Sequence, residues 1–329
     1  MHEFVLQGTY YELGWRLGHR LKAMRFRIPD IDAEKREFYR KCESHIERSF
    51  SEIFELIQGL SESMNEDREN LSAFVFTARV SVHGCTAFAS TRTETGKPIV
   101  GRNFDAPYSL APNCGIYVTS PSSALKSLAV SEIIGSRDDG VNEAGLFVGV
   151  TCVATEVKPG AHVSLLVRGV LEKCSTADQG IRYLLDSAPV EGANYLLADA
   201  SGRMAVVEAS PNVARVRWPI DDWIVTTNHF AHPEMVSEEI LSRRWPDSEV
   251  RFREISNQLM GLEIVSAEIC KSMLSSHDHL VCCHEDDKEI GTLWSLVAMP
   301  HSKGFLLASG HPCTNPYVPQ NQLSRSLSP

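Results

Sequence analysis

Gly84-Cys85-Thr86-Ala87-Phe88, followed after a short turn by Gly101-Arg102-Asn103-Phe104-Asp105, is the stretch on which the reading of this chain turns. Gly84 has no Cβ, so the bond before Cys85 twists at little steric cost. If that bond breaks, Cys85 becomes a new N-terminus that carries a nucleophile and its own base. A cysteine thiol has a pKa of about 8.5 and an α-amino group one of about 7.7–8.0, so a freed amine is matched to take the thiol proton near neutral pH. In the uncut chain the same nitrogen is an amide and is not basic. Arg102 and Asp105, three residues apart on a strand-like segment at 98–105, are placed to flank the new terminus. The arginine favours thiolate, and the aspartate holds the ammonium or orients the amine.

The bland alternative for Cys85 is a small buried hydrophobe, since the chain has nine cysteines and free cysteine often plays that part. The rest of the sequence weighs against it. Gly84-Cys85-Thr86-Ala87-Phe88 with Thr95-Gly96-Lys97-Pro98-Ile99-Val100-Gly101-Arg102-Asn103-Phe104-Asp105 resembles the start of the mature chain in N-terminal-nucleophile amidohydrolases, the penicillin V acylase and choloylglycine hydrolase group. It is more similar still to the acyl-coenzyme A:6-aminopenicillanate (isopenicillin N) acyltransferase-like family. Asp139-Gly140-Val141-Asn142-Glu143-Ala144-Gly145-Leu146, Leu197-Ala198-Asp199-Ala200-Ser201-Gly202 with Val207-Glu208-Ala209-Ser210-Pro211, Thr226-Thr227-Asn228-His229-Phe230, Gly310-His311-Pro312-Cys313 and the opening Gly8-Thr9-Tyr10-Tyr11-Glu12-Leu13-Gly14 carry the likeness over nearly the whole chain.

That resemblance implies a four-layer αββα sandwich, the N-terminal-nucleophile hydrolase fold, preceded by a helical pro-segment. It implies residues 1–84 as pro-segment, 85–315 as catalytic domain, and autocleavage between Gly84 and Cys85. It carries the oxyanion-hole asparagine onto Asn228, with a backbone N–H near Thr151 and Cys152 as second donor, and an active-site arginine onto Arg251. Asn142 reads as a hairpin residue. No cofactor is implied, although a coenzyme A thioester is open as acyl donor. The partners expected are a small-molecule amide and the two fragments of the same chain, with a homo-oligomer left open.

Composition is compatible with this reading. Of 329 residues, 43% are hydrophobic and 22% charged, as in ordinary globular proteins. The net charge of −10 argues against nucleic acid or an anionic membrane as partner. No apolar run approaches the ~20 residues of a membrane span. No secretory signal is visible, and nine cysteines without framework-like spacing suit a reducing cytoplasm.

Periodicity supplies the elements. Residues 9–80 read as helical, with one helix ending before Pro29 and a long charged one at 31–64. Short strands are expected at 86–91, 98–103, 115–119 and 128–134, then a hairpin of strands 132–138 and 146–152 around Asn142-Glu143-Ala144-Gly145. Helices at 163–174 and 176–187 follow, then strands at 194–199, 203–209, 213–218 and 223–227. Helices at 248–260 and 265–275 and strands at 292–299 and 304–309 complete an α+β pattern, and 316–329 reads as a loose tail. The core is expected at Ile99, Ile133, Leu146, Val148, Leu196, Val206, Ile224, Val225, Leu296 and Val297.

Other chemistry is weighed and set aside. His277-Asp278-His279-Leu280-Val281-Cys282-Cys283-His284 invites a zinc assignment, but no second Cys-x-x-Cys pair exists and a strand would split Cys282 from Cys283. The expectation is packing and turn chemistry, with no metal. Walker, dinucleotide and Gly-x-Ser-x-Gly motifs are absent. Two competing readings remain: an uncut Cys–His hydrolase using His229 or His284, and a non-catalytic binding protein.

Overall fold

In the computed structural model, which describes residues 1–77 and 84–323, the chain folds as two stacked antiparallel-rich sheets between helical layers. The elements run β1 (His2–Gly8), α1 (Tyr10–Ala23), α2 (Ala33–Phe50), α3 (Ile53–Met64), α4 (Arg68–Phe76), β2 (Gly84–Ser90), β3 (Ile99–Pro107), β4 (Gly115–Pro121), β5 (Ser127–Ser131), β6 (Asp139–Asn142) and β7 (Leu146–Val153). Then come α5 (Val163–Lys173), α6 (Ala177–Leu185), β8 (Gly192–Asp199), β9 (Met204–Ala209), β10 (Ala214–Arg217), β11 (Trp223–Thr226), α7 (Ser248–Met260), α8 (Ala267–Leu274), β12 (His284–Glu285), β13 (Ile290–Met299), β14 (Gly304–Ser309) and β15 (Val318–Gln320).

One sheet has the order β1-β4-β5-β6-β7-β8-β9-β10 and the other β11-β2-β3-β13-β14-β15, with β12 on β13. The four layers follow from period-two alternation of side chains. On β7, Leu146, Val148 and Val150 join the core under α5 and α6, while Phe147 points to the gap between the sheets. On β2, Cys85, Ala87 and Ala89 face that same gap, and Phe88 faces α7 and α8. All ten expected core residues are buried.

The N-terminal helices form a separate apolar cluster that packs on Phe4, Leu6, Tyr117 and Leu165. α1 and α3 approach so closely that a Cβ on Gly14 would lie 1.9 Å from the Leu56 carbonyl oxygen, and one on Gly59 2.1 Å from that of Tyr11. α1 opens with a complete capping box, Thr9 with Glu12. Tyr10 donates to Glu172 of α5 at 2.8 Å in a buried contact.

One strand was not anticipated, and three expectations need correction. Residues 2–8 form a strand, in parallel register with β4 from His2↔Gly115 to Gly8↔Pro121. The long helix at 31–64 is two helices that break at residues 51–52, where Glu52 supplies no side-chain cap. The stretch 132–138 is a buried loop rather than a hairpin strand: Gly135 has φ +83° and its carbonyl accepts from Arg168 Nη1 at 2.6 Å. Residues 318–320 of the expected loose tail pair with β14, where Pro319 sits on an edge strand that tolerates it. The helical expectation at 78–80 and the last residues of the tail, 324–329, lie outside the described residues.

Candidate active site

The β2–β3 ladder pairs Gly84 with Asp105, Cys85 with Phe104 and Ala87 with Arg102. Residues an odd number of positions apart on a strand point to opposite faces. Arg102 and Asp105 therefore flank the Gly84–Cys85 bond from opposite sides. Arg102 shares the inter-sheet face with the Cys85 side chain, whereas Asp105 sits on the α8 side, where its Oδ1 accepts from Thr292 Oγ1 at 2.6 Å.

Arg102 is fully buried, as is its partner. Its Nε donates to Asp139 Oδ1 at 2.8 Å, its Nη1 to the Asn103 carbonyl at 2.5 Å and its Nη2 to the Val150 carbonyl at 2.6 Å. Asp139 Oδ2 accepts from Trp294 Nε1 at 2.9 Å. This fork bolts one sheet to the other directly beside Cys85. The Cys85 thiol, 0% exposed, is pushed up by burial, and the Arg102 charge and hydrogen bond oppose that rise. Burial likewise pushes Asp105 up to about 7 against the pull of Arg251, Thr292 and Arg102.

Asn228, just after β11, reaches the backbone of Cys85. Its Oδ1 accepts from the Cys85 N–H at 2.7 Å and from Arg251 Nη2 at 2.9 Å, and its Nδ2 donates to the Cys152 carbonyl at 3.0 Å. Two donors on one side-chain atom and an acceptor on the other set the orientation of the amide. The Asn228 N–H donates to Ser248 Oγ at 2.8 Å, which ties this corner to the first residue of α7. Arg251, one turn further along α7 and fully buried, donates through Nη1 to the Cys85 carbonyl and, at 2.9 Å, to Thr86 Oγ1. Its Nε binds Asp247 at 3.0 Å.

The sequence-derived residues thus converge. It is the Cys152 carbonyl, an acceptor, that faces Asn228, and Thr151 contributes a hydroxyl that donates to the Thr227 carbonyl at 2.5 Å. Asn142 is a hairpin residue: its Oδ1 accepts the N–H groups of Ala144 and Leu146. His229 is held by Ser248 and Thr227, and burial lowers it to about 4. His284 Nε2 instead lies 3.4 Å from Cys282 Sγ and 3.1 Å from Cys313 Sγ, well away in sequence from Cys85.

Two residues had no assigned role in the sequence reading. Asp139 was quoted only within a hairpin-like motif, although an acidic partner for a buried arginine was the signal to seek. Trp245 is half-buried, and its indole carbons would lie 2.9 and 3.0 Å from a Cβ on Gly84. Gly84 is therefore required by close packing.

Residues 91–313 match the family model of acyl-coenzyme A:6-aminopenicillanic acid acyl-transferase. No curated protein sequence matches. Among solved structures, a variant of the conjugated bile acid hydrolase from Clostridium perfringens is 14% identical with a TM-score of 0.55, covering 74% of this chain and 94% of its own. A second variant of that hydrolase is 13% identical at 0.51, covering 72% and 96%. The N-acylethanolamine-hydrolyzing acid amidase ortholog of Caenorhabditis elegans is 15% identical at 0.49, covering 66% and 93%. The hydrolase comparisons establish a shared fold.

Proposed function

Because the chain belongs to the acyl-coenzyme A:6-aminopenicillanic acid acyl-transferase family, we propose that it is a self-processing cysteine amidohydrolase or acyltransferase that acts on a linear amide of a small N-acyl amine or peptide-like substrate. Its layered architecture is that of N-terminal-nucleophile hydrolases. In processing, Cys85 Sγ attacks the Gly84 carbonyl carbon. The thiol proton passes to the departing Cys85 nitrogen as the C–N bond breaks, and a thioester to Gly84 remains. Water hydrolyses it, giving a Gly84 carboxylate, a free thiol and an α-amine on the same residue. In turnover that amine takes the thiol proton and returns it to the leaving amine of the substrate. The acyl thioester is resolved by water or by a second amine, and an acyl-coenzyme A is the acyl donor open to the transfer reaction.

The observation that carries the reading is the 2.7 Å contact between the Cys85 backbone N–H and Asn228 Oδ1, locked by Arg251. A site built around a thiol alone has no need to grip the nitrogen of the nucleophile's own residue. The nitrogen that would be freed is already held by a buried amide, which a buried guanidinium fixes in turn. The fully buried thiol, with its raised pKa, suits a latent enzyme. Asn228 Nδ2 serves the developing oxyanion in exchange for its bond to the Cys152 carbonyl, a donor worth roughly 10²–10³ in rate. Arg102 favours thiolate, and Asp105 holds the new terminus. The N-terminal fragment stays in place after cleavage, since β1 is a strand of the first sheet and Tyr10, Ser49 and Glu52 bond to α5 and α6.

Intact mass and N-terminal sequencing test this. The wild type is expected as two co-eluting fragments, the second beginning at Cys85, and Cys85→Ala as one inactive chain of 329 residues. An active preparation that remains uncut, or processing of Cys85→Ala, overturns the reading.

A further inference from the structure

The structure gathers His277, Cys282, His284 and Cys313 so that one ligand atom of each lies within 4.8 Å of all the others. We propose that these four residues bind a structural zinc ion in tetrahedral Cys2His2 geometry. Zn–S and Zn–N bonds of about 2.3 and 2.0–2.1 Å place ligand atoms roughly 3.3–3.8 Å apart in a tetrahedron. His284 Nε2 stands 3.4 Å from Cys282 Sγ, inside that range, and 3.1 Å from Cys313 Sγ, just short of it. No carboxylate belongs to the group, and two thiolates with two neutral imidazoles make a charge-neutral zinc centre. Binding releases the two thiol protons to solvent.

Local structure points the same way. Cys282 and His284 are two residues apart, and the chain between His277 and Cys282 doubles back so that the Cys282 N–H donates to the Ser276 carbonyl at 2.7 Å. That reversal uses two successive left-handed residues, His279 at φ +52° and Leu280 at φ +59°. A leucine there costs of order 1–2 kcal/mol and persists only when its surroundings hold it. Cys313 arrives from the turn after β14, so the metal would staple two segments 29 residues apart in sequence. The His284 ring is stacked on His311 at 3.8 Å, and His311 Nε2 meets Tyr108 Oη at 3.3 Å, an outer shell that sets the imidazole plane. Cys282 is buried, His284 and Cys313 are half-buried and His277 is exposed, so the site is closed on one side and has an entry path on the other.

The sequence reading set zinc aside because it looked for a second Cys-x-x-Cys pair and for ligands along one strand. The four that converge exclude His279 and Cys283 and include Cys313, which no local spacing announces. The staple braces the outer side of the active-site sheet. Between Cys282 and His284, Cys283 donates its N–H to Thr292 Oγ1 at 3.0 Å, and that hydroxyl holds Asp105. The neighbouring Val281 carbonyl accepts from Asn103 Nδ2 at 2.7 Å. This role is independent of whether Cys85 is processed.

The test uses the full chain with zinc chloride as probe. Elemental analysis after dialysis is expected to give about one zinc per chain for wild type and for the neighbouring control His279→Ala, and a small fraction of that for Cys313→Ser. His277→Ala replaces an exposed side chain and so preserves the fold. It is expected to weaken zinc at least about tenfold in competition with a chromophoric chelator. Cobalt(II) in place of zinc should give a thiolate-to-metal charge-transfer band that Cys313→Ser lacks. Chelation should lower the melting temperature of wild type and leave that of Cys313→Ser unmoved. The proposal is overturned by reconstituted wild type that takes up no zinc, by full zinc retention in both variants, or by a Cys282–Cys313 disulfide in reductant-treated, metal-supplemented protein.

Discussion

Replacing Asp139 by asparagine removes one charge from a pair that is 0% exposed on both sides. The carboxylate accepts from Arg102 Nε through one oxygen and from Trp294 Nε1 through the other. An asparagine has one oxygen, so either the guanidinium or the indole must face an NH2 group. Arg102 also remains buried as an uncompensated cation. Breaking a buried pair in this way costs about 3–5 kcal/mol. The stranded donor accounts for about 1–3 kcal/mol of that. Urea unfolding, in the Cys85→Ala background so that processing does not intervene, should show a loss of that size. Adding Trp294→Phe should make the combined loss smaller than the sum of the two single losses, because the indole donor is gone. The same change has an opposite signature at Cys85. Asp139 raises the thiol and Arg102 lowers it. With Cys85 intact, Asp139→Asn should therefore alkylate faster than wild type at a fixed pH below 8, measured on unfolding-corrected protein. A variant within 1 kcal/mol of its parent, or strictly additive losses in the double variant, would refute the reasoning.

Arg251→Lys keeps the charge but not the fork that serves the Cys85 carbonyl, Thr86 and Asn228 together, so self-cleavage followed by intact mass should slow roughly 10–100-fold at constant folded fraction. Gly84→Ala drives a Cβ into the Trp245 indole and should destabilise by about 1–3 kcal/mol in thermal unfolding, with the loss largely recovered by adding Trp245→Ala. Asp105, pushed by burial up to about 7 from the ordinary aspartate range, binds its proton more tightly folded than unfolded. Its contribution to stability is therefore present at low pH and is lost as pH rises toward and through 7. In the Cys85→Ala background, Asp105→Asn should abolish roughly 3 kcal/mol of the decline between pH 5 and 8, read from urea midpoints at each pH.

How far the chain declares itself depends on whether the relevant physics is local. Thr176 capping α6 through Gln179, the Asn142 hairpin and the fully buried runs of β7 and β8 all sit within a few residues of their signals, and these were legible. β1 was not, although Phe4 and Leu6 alternate with exposed Val5, because its partner β4 lies more than a hundred residues away and a parallel edge strand has no turn to announce it. The loop at 132–138 has strand-like composition. Its conformation is set by Arg168 reaching the Gly135 carbonyl from another layer, and by Asp138 accepting from Ser164 at 2.5 Å. Propensity loses to tertiary contact there.

The same distinction explains the active site. Gly84, Cys85 and Arg102 could be read because the glycine, the thiol and the cation lie on adjacent strands of one short hairpin. Asn228 and Arg251 entered by resemblance alone, and their meaning is supplied by convergence: 143 residues separate Cys85 from Asn228 and 166 separate it from Arg251, yet both meet the Cys85 backbone, one at its N–H and the other at its carbonyl. Asp139 had no such advocate. Its necessity is electrostatic, since a guanidinium with 0% exposure at the inter-sheet face demands an anion from the opposite sheet. A buried arginine beside a nucleophile is thus best read as half of a pair, and the acid to seek is one whose strand lies across the core. In this chain that is the first residue of β6, whose carboxylate also accepts a hydrogen bond from Trp294 Nε1 and so couples the inter-sheet core to the surroundings of Cys85.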